Sequence, residues 1–140
     1  MNKKVMNKVF VLIEWIARIV IVYFFAIHGL DALLKNKVML MYFTHIGISY
    51  SMAIYLLPLV GILDLVVASL IIFRPFKLLV IWAMIWPIIP GYLELSLFRS
   101  GYYIFFKYLI IHCLPGLILY TTRFTKILQN LIEKIRGVNI

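Results

Sequence analysis

Five carboxylates occur in this chain, and four lie inside apolar stretches: Glu14, Asp31, Asp64 and Glu94, with only Glu133 in a polar one. A charge in hydrocarbon costs about 2.5–3.5 kcal/mol even on a lenient insertion scale, so each acid is expected to face protein or a wet cavity and to have a partner. Counting about 1.5 Å per residue inward from the ends of the apolar blocks brings Arg18, Asp64 and His112 to similar depths, about 14 Å from one surface. Glu14 precedes Arg18 by one helical turn, an i,i+4 pair. The expectation is a polar clamp in which the Arg18 guanidinium fork is shared by Glu14 and Asp64.

A second group falls toward the opposite surface. His28 and Asp31 are spaced i,i+3, and Glu94 comes near the end of a later apolar block. An imidazole that titrates near neutral pH beside two carboxylates suits proton exchange better than simple packing. Gly29 sits in the middle of this outer cluster and would let another helix approach closely.

A third group is aromatic. Trp82 and Trp86 are an i,i+4 pair, followed by Pro87 and Pro90. The prolines remove two backbone donors and predict a kinked or opened helix, with the tryptophans as an aromatic face. Such a face is expected to pack or to line a flat hydrophobic ligand such as a quinone, with His112, followed by Pro115-Gly116, as a further ligand-lining candidate. Two axial histidines on facing helices would hold haem, but His28 and His112 differ in depth by more than a turn and His45 lies in a connecting segment, so haem is the lesser expectation. A metal on His28, Asp31 and Glu94 is chemically conceivable, yet no metal site is assigned. Cys113 stands alone, without a Cys-x-x-Cys partner, and reads as a small buried apolar residue.

The elements that must carry these groups follow from composition. Of the 140 residues 65% are hydrophobic and 14% charged, with mean hydropathy +1.06. Soluble domains have about 45–50% apolar and about 25% charged residues, so disorder and a one-core soluble enzyme are both excluded. Four blocks are long enough to cross a bilayer, which takes about 20 apolar residues. They run over 9–34, 53–73, 78–98 and 103–122, and the first, preceded by a basic Met1–Lys8 stretch, is read as an uncleaved span. Residues 38–50 are apolar but too few to span, which predicts a short interfacial or re-entrant helix. Over 123–136, Ile127, Leu128, Leu131, Ile132 and Ile135 form one stripe, which predicts an amphipathic interfacial helix. The predicted fold is thus all-α, an integral membrane four-helix antiparallel bundle in a single domain.

The net charge of +9 would suggest nucleic acid in a soluble protein. Here the cations flank apolar blocks, so anionic lipid headgroups are the expected partner and nucleic acid is not. Lys3, Lys4, Lys8, Arg74, Lys77, Arg123, Lys126, Lys134 and Arg136 fall on one side, against Lys35, Lys37, Arg99 and the nearby Lys107 on the other. That asymmetry predicts both termini in the cytoplasm.

Arg18 followed by His28-Gly29, then Leu57-Pro58-Leu59-Val60-Gly61-Ile62-Leu63-Asp64, then Arg74-Pro75 and an aromatic third block, resembles the DoxX-like family of small bacterial four-helix integral membrane proteins. The resemblance covers roughly Trp15 to Tyr120 and implies an inner-membrane component of a redox system, some members being linked to quinol oxidation. It also implies that Arg18, Gly29 and Asp64 are recurrent polar or close-packing positions. The chain departs from the family's pattern in having Asp31 where a basic residue commonly follows the glycine. It departs again in having Asp64 followed by Val66, Val67 and Ala68, in place of Glu followed by glycines.

Three functions follow as expectations. The first is an accessory subunit of a quinone-linked membrane redox system, with no catalytic activity of its own. The second is a structural or assembly subunit of a larger membrane complex. The third is a small proton-coupled transporter that works as a homo-oligomer.

Overall fold

Polar residues and prolines between the apolar blocks set where each helix starts and stops. A computed structural model describes residues 3–98, 102, 106–107 and 109–123, and among these there are helices and turns but no strand. Helix α1 is Lys3–Leu33 and begins earlier than the apolar pattern suggests. It stops where Lys35 turns into the left-handed region at φ 54. Asn36 then caps α2, Lys37–His45, its side-chain oxygen accepting from the Val38 amide at 2.9 Å. This nine-residue helix is the short element expected after the first block.

Gly47 supplies the next turn at φ 88, and Ser49 caps α3, Tyr50–Phe73. Arg74-Pro75 ends α3, because the residue before a proline is pushed out of helical geometry. At Pro87 the helical bonding is broken by one turn, while Trp86 keeps right-handed helical backbone at φ -52 and ψ -45. Helix α4, Lys77–Ile85, stops, and α5, Ile88–Phe98, starts after the turn at Trp86-Pro87. Pro90 falls in the first turn of α5, where its missing N–H costs no helical bond. Helix α6, Leu109–Arg123, opens with a π-helical stretch over Leu109–Cys113.

Three stretches are long and apolar enough to cross a membrane: Lys8–Leu33, Tyr50–Phe73 and Lys77–Leu97. Leu109–Arg123 is a shorter apolar helix. Residues 103–105 and 108 of the expected fourth block lie outside the described residues. So does the expected interfacial helix over 123–136 beyond Arg123.

Helix α1 packs chiefly on α3, antiparallel to it. The two meet backbone to backbone at Gly29 and Gly61, where a Cβ on Gly61 would stand 2.6 Å from the Gly29 carbonyl oxygen. Small residues at a crossing permit this approach and the dispersion contacts that come with it. Eleven residues back along α1, Arg18 reaches the carbonyl of Ile72, eleven residues forward along α3. One more step puts Phe73, the last residue of α3, level with Ala17, so the first turns of α1 project past the end of α3. At the other end α3 outruns α1, and α2 fills the gap in a cluster of Ala32, Met39, Leu40, Ala53 and Leu57.

The larger core joins Ala17, Ile21 and Phe25 of α1 to Val67, Ala68 and Ile71 of α3, Val80 and Ala83 of α4, and Leu119 of α6. The outward faces stay apolar: Ile19, Leu59, Ile62 and Val66 are each more than half exposed. That surface suits hydrocarbon and would be an aggregation hazard in water.

Candidate functional site

The Gly29–Gly61 crossing brings the neighbouring polar residues of α1 and α3 into contact. Asp64, one turn beyond Gly61, is fully buried, and its Oδ2 lies 2.5 Å from Nδ1 of His28. Donation by the Nδ1–H fixes the imidazole tautomer and leaves Nε2 as the atom open to another partner. The second carboxylate oxygen, Oδ1, is buried without a hydrogen bond.

The expected clamp is therefore corrected. Asp64 pairs with His28 and not with Arg18. Arg18 does hold Glu14 through Nη2, as the i,i+4 spacing requires, but its Nη1 donates to the Ile72 carbonyl at 3.1 Å. Its guanidinium also lies 5.0 Å from the centre of the Trp15 ring. Arg123 approaches the same Glu14 oxygen at 3.8 Å. Depth counting failed because it assumed that α1 and α3 begin and end flush. The glycine crossing sets the register instead, and it places Arg18 at the last turn of α3 and His28 opposite its middle.

Beside the His28–Asp64 pair lies a cavity of about 500 Å³. His28, Asp31 and Glu94 all line it, so the three residues expected to cluster do share one space. The space is not purely an outer one. His28 stands level with mid-α3, while Asp31 and Glu94 lie toward the end where α2 packs. Phe24, Phe25 and Trp86 supply aromatic walls, and Lys107 adds a cation.

Of the two expected tryptophans, Trp86 lines the cavity and Trp82 stacks on its far side. Their ring centroids are 5.0 Å apart, with planes 22° from parallel. Trp86 Nε1 is buried without a hydrogen-bond partner. Of His112 the structure describes the backbone, within the π-helical stretch, and the preceding Ile111 lines the cavity. Both breaks in regular helix, at Trp86-Pro87 and at Leu109–Cys113, thus border the same space. Inside a bilayer irregular backbone is tolerated only where it faces protein or a cavity, and π-bulges recur at functional sites.

Tyr42 belongs to the site although the sequence does not single it out: it is buried and lines the cavity. Burial, and secondly the Glu94 carboxylate, push its phenol up to about 12. No periodicity signals this, because α2 is short and its contacts with α3 and α5 are long-range. His45, weighed above for haem, instead shares a hydrogen bond with Ser96 at 3.1 Å, tying α2 to α5. Among the described residues no three His, Cys, Asp or Glu side chains are placed to hold a metal ion.

Chemically, a carboxylate-oriented imidazole can take a proton from, or give one to, a ligand group in the cavity. The aromatic walls favour a flat apolar body, while His28, Asp31, Glu94 and Lys107 favour a polar end. Compared with known proteins, the chain matches no family model, no curated protein and no solved structure.

Proposed function

We propose that this chain is an integral membrane protein with four crossing helices and both termini cytoplasmic, in a bacterial inner membrane, and that its cavity holds a quinone-type ligand. In this reading it serves as an accessory subunit of a quinone-linked redox system. The observation that carries the reading is the mid-bundle cavity, which combines aromatic walls with a partly exposed His28 held by the buried Asp64. The resemblance to the DoxX-like family points the same way, and the proposed membrane setting rests on three long apolar helices. Trp86 and Phe25 would flank the ring, His28 would hold or release a proton, and the redox chemistry belongs to the quinone.

The test is titration of a short-chain ubiquinone into the protein in nanodiscs, read by tryptophan fluorescence. Saturable quenching is expected, weakened at least tenfold by Trp86→Ala and by His28→Gln, with helix content unchanged. Quenching that does not saturate, or that both variants retain in full, removes the quinone reading.

A second reading has its own support. Discontinuous helices meeting ionisable residues at mid-bundle is a recurrent arrangement in small-molecule carriers. A proton-coupled carrier would show substrate flux in liposomes that responds to a pH gradient and falls in Asp31→Asn.

A further inference from the structure

A separate groove of about 370 Å³ runs between α1 and α6, away from the cavity. Its walls are apolar throughout, with Ile13, Ile16 and Val20 on α1 facing Ile110, Leu114 and Ile118 on α6. The lining residues run from Ile13 to Val20 on α1 and from Ile110 to Ile118 on α6, a length of about 10–12 Å. Among the described residues, polar groups gather beside its Ile13–Ile118 end. Glu14 follows Ile13 there, and a single Glu14 oxygen is approached by two guanidiniums, Arg18 and Arg123. The Arg123 side chain is 40% exposed, whereas that of Arg18 is 13% exposed. Among the described residues, one carboxylate against two arginines leaves a net positive charge, with Arg123 the accessible cation, beside an apolar trough.

We propose that this groove seats an anionic phospholipid, with an acyl chain between α1 and α6 and the headgroup phosphate on Arg123. Charge complementarity selects the headgroup, and the wholly apolar walls select a chain over a peptide, whose backbone groups would go unsatisfied there. Trp15, about half exposed and beside Arg18, has the amphipathic character that favours the headgroup level. The site does not depend on the quinone reading, because it shares only Ile111 with the cavity.

Native mass spectrometry of the full chain in mixed micelles tests the proposal, with dioleoyl phosphatidylglycerol and dioleoyl phosphatidylcholine as probes. One phosphatidylglycerol should bind with a preference of about fivefold or more, the order expected for one basic residue against an anionic lipid. Arg123→Gln should abolish the preference. Lys8→Gln, which removes the same charge from an exposed position near the groove, should keep it. Ile16→Trp, which fills the groove, should weaken both lipids, and millimolar inorganic phosphate alone should not displace them. Equal binding of the two lipids in the unaltered chain overturns the proposal. So does equal loss in Arg123→Gln and Lys8→Gln, which would mean diffuse charge. Displacement by phosphate alone would mean a headgroup site without a seated chain, and it overturns the proposal as well. Helicity by circular dichroism screens each variant, and an unfolded Arg123→Gln leaves the lipid preference of the unaltered chain and Ile16→Trp to decide.

Discussion

Gly61→Ala adds one methyl group where the helices touch. The new Cβ would stand 2.6 Å from the Gly29 carbonyl oxygen, 2.9 Å from Leu33 Cγ and 3.0 Å from the Leu33 amide nitrogen. Two of those three neighbours are backbone, so no side-chain rotation relieves the contact. Reaching an ordinary separation requires α1 to retreat by roughly 0.6–0.8 Å, and overpacking of this kind costs about 1–3 kcal/mol. Alanine recovers about 1 kcal/mol of helix propensity over glycine. The same retreat acts one turn away. It stretches the 2.5 Å His28–Asp64 contact to the usual hydrogen-bond limit of about 3.2 Å and forfeits part of a bond worth about 1.5–3 kcal/mol. The net expectation is destabilisation by about 1–3 kcal/mol, together with a changed His28 Nδ1–H signal. Gly29→Ala should cost less, because its nearest backbone clash is 2.9 Å and its other close neighbours are movable atoms of the Leu65 side chain. Unfolding in mixed micelles, with 15N-labelled histidine followed by NMR, measures both effects. A Gly61→Ala chain about 1 kcal/mol more stable than its parent, with an unchanged histidine signal, would refute the close crossing and the register built on it.

Two further outcomes follow. His28→Ala leaves the Asp64 carboxylate buried without its partner and should destabilise by about 3 kcal/mol or more, whereas His28→Ala with Asp64→Leu should recover most of that loss; chemical denaturation of both variants decides, and equal losses would mean the pair is not coupled. The Tyr42 phenol, raised from 10.0 to about 12, stays protonated in the folded chain where the unfolded chain has ionised, so its contribution to stability is complete below pH 10 and is lost as pH rises toward 12. An ultraviolet alkaline titration should therefore lose a late-titrating tyrosine in Tyr42→Phe, and that tyrosine should titrate somewhat earlier in Glu94→Gln; a difference spectrum centred at 10 would contradict the burial of Tyr42 and the nearby Glu94 charge together.

Much of the helical plan was legible because apolar block length and proline position act locally. The apolar run over 53–73 reappears as α3 with its end at Arg74-Pro75, and Trp86-Pro87 marks the break between α4 and α5. The Glu14–Arg18 pair was legible for the same reason, since helical spacing alone sets it. The partner of Asp64 was not. It depends on how far α1 slides along α3, and that is decided by two glycines 32 positions apart in the chain. Asp31 and Glu94 were readable as neighbours toward one end, whereas His28 shares their cavity through the glycine register and Tyr42 through the packing of α2. The glycine Gly29 was read as a place of close approach, but nothing local named Gly61 as its counterpart.

The two contacts that fix α1 on α3 are eleven residues apart on each helix, and eleven residues make very nearly three turns. Gly29 and Arg18 therefore ride the same stripe of α1, and Gly61 and Ile72 the same stripe of α3. A slide of half a turn would unseat both at once and carry His28 off Asp64 in the same motion. The interface thus has detents. Axial movement of α1 would come in whole-turn steps of about 5.4 Å, with no smooth range between them. An inserted residue between Arg18 and Gly29 would leave the glycine seat intact but swing the arginine about 100° around the helix, putting the two seats permanently out of phase.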